Sequence, residues 1–160
     1  MKNNYLSLLF KKKNLAFHCI GDSKEKTVYL LKFETPNNQL DFVIENVHNQ
    51  KNMIHIYGVF PVKIPFTKRN EVAILSTLLN NNLDVGCWEL DLGNGRLRYR
   101  LSYPCDMKSK TFEDIFMKQL HLAVQYTDLC ISPILSSVYG NINPHEVYSQ
   151  FTGFVNVQMN

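Results

Sequence analysis

Hydrophobic and polar positions change their period several times along the chain, and each change marks an element. From Asn4 to Phe17, apolar residues at Tyr5, Leu8, Leu9, Leu15 and Phe17 recur around a lysine cluster at helical spacing, which predicts an N-terminal helix. Gly21-Asp22-Ser23 breaks the pattern. The period then falls to two, the mark of strands, in Thr27–Phe33, in Leu40–Val47 after the turn Pro36-Asn37-Asn38, and in Met53–Phe60 after the polar link His48–Asn52. In the last of these, Ile54 and Ile56 share one face while His55 and Tyr57 share the other. The three segments predict an antiparallel meander.

Pro61 and Pro65 close the meander, and Thr67 is placed as the N-cap of a helix running to about Asn80. Val72, Leu75 and Leu79 form its inner stripe, widened by Ile74 and Leu78. The run Asn80-Asn81-Asn82 stops it. Further on, Thr111 and Asp114 have the spacing of a capping box. The helix they open puts Phe112, Ile115, Phe116, Leu120, Ala123 and Val124 on one face, which has to lie on a sheet. The pattern weakens at Asp128, and the helix is expected to end or kink by Pro133, which has no amide donor. Asn143-Pro144-His145-Glu146 opens a last short helix with Asn as cap and Pro in first position, and the stretch from Thr152 is expected to be loose.

Between these helices, Leu83–Asp106 carries the strongest local signal. With Asn94-Gly95 as the central residues of a type I′ turn, Leu92 faces Leu97, Leu90 faces Tyr99 and Trp88 faces Leu101. On the other side, Asp91 then faces Arg98 and Glu89 faces Arg100. Arg96, Arg98 and Arg100 could serve as an anion-binding stripe, but two of the three have carboxylates opposite them. A solvated, salt-bridged face is the better reading.

With 160 residues, no internal repeat and no linker, the chain is read as a single domain over 1–160. Hydrophobic content of 45% and aromatic content of 12% are those of a globular protein. The net charge of +3 comes from basic residues spread along the chain, so nucleic acid is not an expected partner. Cys19, Cys87, Cys105 and Cys130 form no CxxC pair, which points to reduced thiols and a cytoplasmic protein. No signal peptide is recognisable, and no run approaches the ~20 apolar residues of a membrane span.

The run from Val72 to Leu135 resembles the YbjN-domain family of bacterial proteins, best over about residues 67–140. The likeness rests on Leu78–Leu83 (LLNNNL), Trp88–Pro104 (WELDLGNGRLRYRLSYP), Lys110–Phe116 (KTFEDIF), and Tyr126-Thr127-Asp128 before Pro133. The resemblance implies a type III secretion chaperone-like fold, an antiparallel sheet in the order α-β-β-β-α-β-β-α with helices packed on it. It also implies a regulator of sensory transduction, a homodimer and a hold on an extended segment of a partner protein. No catalytic or binding residue is implied by it.

Catalytic and metal signals are absent from the residues themselves. His18, His48, His55, His121 and His145 show no HExxH or other close ligand spacing, although His48 and His55 could approach across a meander turn. Cys130 lies in the apolar run Leu129-Cys130-Ile131, where a buried small hydrophobe is the usual outcome. Gly93-Asn94-Gly95 is too short to cradle a phosphate. No catalytic residue, metal or cofactor is therefore assigned, and an enzyme is not expected. The remaining signal is surplus apolar surface on the strands at Tyr29, Leu31, Phe33, Val43, Tyr57 and Val59, which either faces a dimer mate, a protein partner or a ligand or, equally, is covered by the N-terminal helix and the C-terminal tail. The expected function is a non-enzymatic, chaperone-like binding or regulatory module. The alternative is a sensor that takes a small ligand between sheet and helices.

Overall fold

The computed structural model describes residues 5–48 and 52–158, with side chains as far as Thr152. The expected start of the first helix at Asn4 and most of the link His48–Asn52 lie outside the described residues. Helix α1 (Tyr5–Lys12) stops earlier than its apolar pattern suggests. Asn14 adopts a positive φ of 54°, with the Asn14 amide donating to the Lys11 carbonyl and the Leu15 amide to that of Phe10. That is a Schellman closure with Asn in the left-handed position, and it frees Phe17 from the helix. Phe17 instead starts a strand, β1 (Phe17–Asp22), which the sequence pattern does not separate from the helix.

Strands β2 (Lys26–Glu34), β3 (Gln39–Val47) and β4 (Met53–Val59) form the predicted meander. β5 (Cys87–Leu90) and β6 (Leu97–Pro104) complete a six-stranded antiparallel sheet ordered β1-β2-β3-β4-β6-β5. The protein is thus an α+β fold. Relative to the order α-β-β-β-α-β-β-α, it adds β1 at one end and a further helix at the other.

Helix α2 (Arg69–Asn80) begins later than expected. Thr67 does not cap it, because Pro65 opens a 3-10 turn over Phe66–Lys68, with the Lys68 amide on the Pro65 carbonyl. Val72, Leu75, Ser76 and Leu79 are its buried residues, whereas Ile74 points to solvent. Helix α3 (Phe112–Tyr139) continues through Pro133, where an end or a kink was expected. Its buried stripe runs on through Cys130, Ile131, Ile134 and Val138, so packing outweighs the one helical bond that proline cannot make. Ile115 lies off that stripe and is exposed. Thr111 flanks the helix but makes no capping bond; its hydroxyl meets that of Ser109 at 2.9 Å. The cap at Asn143 forms as expected, Oδ1 accepting from the His145 amide at 2.9 Å, but α4 (Pro144–Gln158) continues beyond Thr152, where a loose end was expected.

The hairpin forms with a register two residues from the one that a type I′ turn would give. Asp91 Oδ1 accepts from the amides of Gly93 (2.8 Å) and Asn94 (3.2 Å), and Gly95 alone in the loop takes a positive φ, 74°. The loop therefore spans four residues, closed by Asp91 N to Arg96 O and Gly95 N to Asp91 O. Trp88 stands opposite Tyr99, Leu90 opposite Leu97, and Glu89 opposite Arg98. An even shift keeps every side chain on its expected face. Leu92, left in the loop, is exposed.

Helices α1, α2 and α3 all cover the same face of the sheet. Phe10 meets Tyr29, Phe17 and Phe116 with ring centroids 5.2–5.8 Å apart. Trp88, Tyr99, Leu101, Ile54, Ile56, Phe42 and Ile44 continue the core toward β5. α4 packs on α2 and α3, where Val147 is buried. Two side-chain contacts fix α3 on the sheet. At Gly58 the helix comes so close that a Cβ would sit 2.2 Å from Thr127 Oγ1. The next residue, Asp128, accepts from Thr35 Oγ1 (2.7 Å), Asn38 Nδ2 (2.6 Å) and Asn37 Nδ2 (3.5 Å), pinning the β2–β3 turn.

Candidate functional site

Because the helices cover one face, strand parity decides what the other face presents. Leu30 pairs with Val43, Val43 with Tyr57, and Tyr57 with Arg100, so these four side chains form a row across the open face. A second row holds Val28, Glu45, His55 and Ser102, and a third holds Lys32, Asp41, Val59, Arg98 and Glu89. Val28, Leu30, Val43 and Tyr57 are half-buried, and Val59 is 37% exposed.

Register divides the six residues expected to share a face. Val43, Tyr57 and Val59 are on the open side. Tyr29 and Leu31 are buried beneath α1, and Phe33 lies on that side too, its ring edge-on to Phe42 at 5.4 Å. The error has a plain cause: β2 is apolar on both faces, so alternation alone does not say which set faces the helices. The aromatic residues of α1 are the signal that does, since Phe10 needs ring partners and finds Tyr29.

Near the β4–β6 side the open face deepens into a hollow of about 450 Å³. Val43, Tyr57, Val59, Phe60 and Val62 give it an apolar lining, and Lys63, Arg96, Arg98 and Glu45 supply the charged groups around it. The Arg98 guanidinium lies 4.4 Å from the centre of the Tyr57 ring and pairs with Glu89 at 3.0 Å. Arg100 reaches the same carboxylate at 2.6 Å, so one acid serves two arginines. Asp91, expected opposite Arg98, is committed to the hairpin loop. Glu45 is held by Lys26 at 2.7 Å. Arg96 and Lys63 are exposed, and among the described residues no carboxylate lies within ion-pairing distance of either. Arg96 is nonetheless positioned, its amide donating to Asn94 Oδ1 at 2.8 Å.

His55 stacks on Tyr57 with ring centroids 6.0 Å apart and meets Ser102 Oγ through Nδ1 at 2.7 Å. Burial depresses its pKa below the usual imidazole range, with Arg100, Lys26 and Arg98 adding to the effect against Glu45, so the ring is neutral at neutral pH. Burial likewise raises the Tyr57 phenol. The histidine pair considered from the sequence does not assemble: His48 Nε2 is bonded to Thr27 Oγ1 at 2.8 Å, and His55 faces Glu45 across the strand. Among the described residues no three His, Cys, Asp or Glu side chains converge on a point where a metal ion could bind. All four cysteines are free thiols, with Cys130 buried against the sheet and its thiol pushed up to about 12 by that burial.

The arrangement offers an apolar strip, a stacked tyrosine and a surplus of positive charge, which are means of recognition. Among the described residues no helix is long and apolar enough to cross a membrane. Compared with protein-family models and with curated proteins, the sequence finds no match.

Proposed function

We propose that this protein is a non-enzymatic binding module of the chaperone-like kind, cytoplasmic, whose open sheet face holds a segment of a partner protein. The observation that carries the reading is the one-sided layering: three helices pack on one face and leave Val28, Leu30, Val43, Tyr57 and Val59 half-open on the other. A contiguous apolar strip on a soluble domain costs solvation free energy unless something covers it. The YbjN-like run supports the reading by its shared order of sheet and helices. A homodimer, the other occupant that the resemblance suggests, would use the same strip. A small-ligand sensor with its pocket between sheet and helices has less behind it, because the middle of that layer is filled by Trp88, Tyr99, Phe42 and Phe116, and a hollow of about 560 Å³ is left at its end, beside Tyr5, Asn46, Met107 and Glu113.

The test is affinity purification of the tagged chain from its own cells, run in parallel with Val43→Glu and with light scattering on both. The reading expects a near-stoichiometric protein on the wild type that Val43→Glu fails to retain, with the two melting at the same temperature. Identical recoveries from both would overturn it. A twofold mass for the wild type that Val43→Glu abolishes, with no companion protein, would replace it by the dimer.

A further inference from the structure

We infer that the occupant of the open face is an acidic extended peptide, with an apolar side chain in the hollow over Val43, Tyr57 and Val59 and its carboxylates against Lys63 and Arg96. The inference deepens the proposed function and rests on it.

Charge on the face is unevenly divided. Its β2–β3 half carries Lys26 and Lys32 against Glu34, Asp41 and Glu45, two positive and three negative groups, and the Lys26–Glu45 pair is closed. The half around β6 carries Lys63, Arg96, Arg98 and Arg100 against Glu89, four positive groups and one negative, and the one further carboxylate lining the hollow, Glu45, is held by Lys26. The excess of positive charge therefore collects at one end of the apolar strip, beside the hollow. A surface positive here and apolar there is complemented by a chain that alternates carboxylates with hydrophobic side chains.

Two of the four cations are already fixed and two are free to act. Arg98 is held flat by Tyr57 and Glu89, and Arg100 by the same Glu89, so both are spent within the protein. Lys63 and Arg96 flank the opening without a carboxylate among the described residues. They are the positions at which incoming carboxylates would find unspent charge. An extended strand places alternate side chains on one face, which suits this spacing of an apolar floor beside a charged rim.

A nucleic acid fits the same surface less well. Its backbone brings a phosphate at every nucleotide and needs a stripe of unpaired cations. Here Glu89 and Glu45 lie between the basic groups, and the floor is aliphatic apart from Tyr57.

The experiment measures fluorescence anisotropy of the whole chain with four labelled probes: a short peptide alternating Glu with Leu and Phe, its Gln counterpart, its Lys counterpart and oligouridylate. The acidic peptide is expected to bind about tenfold more tightly than the Gln peptide and to weaken as salt rises. Lys63→Glu and Arg96→Glu, both at exposed rim positions, should each remove most of that preference, and Val43→Glu should abolish binding. Equal binding of acidic and neutral peptides, lost in Val43→Glu, overturns the acidic partner while leaving the docking face intact. Binding of no peptide, or binding that Val43→Glu does not change, overturns both the inference and the reading under it. Preference for oligouridylate, or self-association that Val43→Glu abolishes, overturns the inference in favour of that occupant.

Discussion

Asn80 holds Trp88 by both atoms of its side-chain amide, Oδ1 accepting from the Trp88 backbone amide at 2.6 Å and Nδ2 donating to the Trp88 carbonyl at 3.1 Å. The last residue of α2 thus imitates a neighbouring strand for β5, the edge of the sheet. Asn80→Ala leaves both backbone groups partly shielded from water and without partners, a loss of about 2 kcal/mol. Urea melts measure the loss, and amide hydrogen exchange should show the Trp88 amide exchanging faster. Unchanged exchange there would mean that water replaces the side chain at no cost.

Gly58 and Thr127 set how near α3 comes to the sheet. A Cβ at Gly58 would collide with Thr127 Oγ1 at 2.2 Å and crowd the Phe42 ring at 3.0 Å. Thr127 is fully buried, and its hydroxyl has no hydrogen-bond partner among the described residues. Gly58→Ala is expected to cost about 2 kcal/mol by overpacking. Combining it with Thr127→Ala should recover a large part of the loss, since that change removes the colliding atom. A double-mutant cycle in denaturant reads the coupling, and additive effects would show that the backbone yields elsewhere.

The four thiols should differ widely in reactivity. Cys19 is exposed on the edge strand, whereas Cys130 is buried and its thiol is pushed up to about 12. Burial also raises Cys105. Alkylation of the native protein at mildly alkaline pH, followed by mass spectrometry, should modify Cys19 at least about a hundredfold faster than Cys130, because the thiolate is the nucleophile. Comparable rates would mean that the middle of α3 opens readily from the sheet.

Much of the fold is legible in the sequence where a period and a stop signal agree. The meander strands alternate cleanly and are separated by Pro36-Asn37-Asn38, and they appear within a residue or two of their expected bounds. The pattern misleads where a side chain spends itself locally in a way that composition does not reveal. Asp91 is used in the hairpin loop and not across the strand, which moved the register by two. Asn14 closes α1 and so releases Phe17 to a strand. Pro133 does not end α3, because the apolar residues on both sides of it keep the helix on the core. Asp128, where the helical pattern weakens, proves to be the anchor of a turn some ninety positions earlier, a long-range partnership that no periodicity encodes. For the candidate site, Val43, Tyr57 and Val59 were legible, whereas Leu30 and Val28 were hidden because both faces of β2 are apolar.

The sheet order has a consequence for how the chain is made. Strands β1, β2 and β3 each pair with their immediate successor, so the four-strand ladder can close as soon as residue 60 has emerged from the ribosome. β4, however, waits for β6, and its Met53 pairs with Pro104, roughly fifty residues later in the chain. During that interval the ribosome-bound chain carries β4 as a bare edge, with Ile54 and Ile56 uncovered beside it. The strand that ends at the centre of the finished sheet is therefore the one most open to wrong pairing at birth, and nascent-chain aggregation should be most sensitive to sequence there.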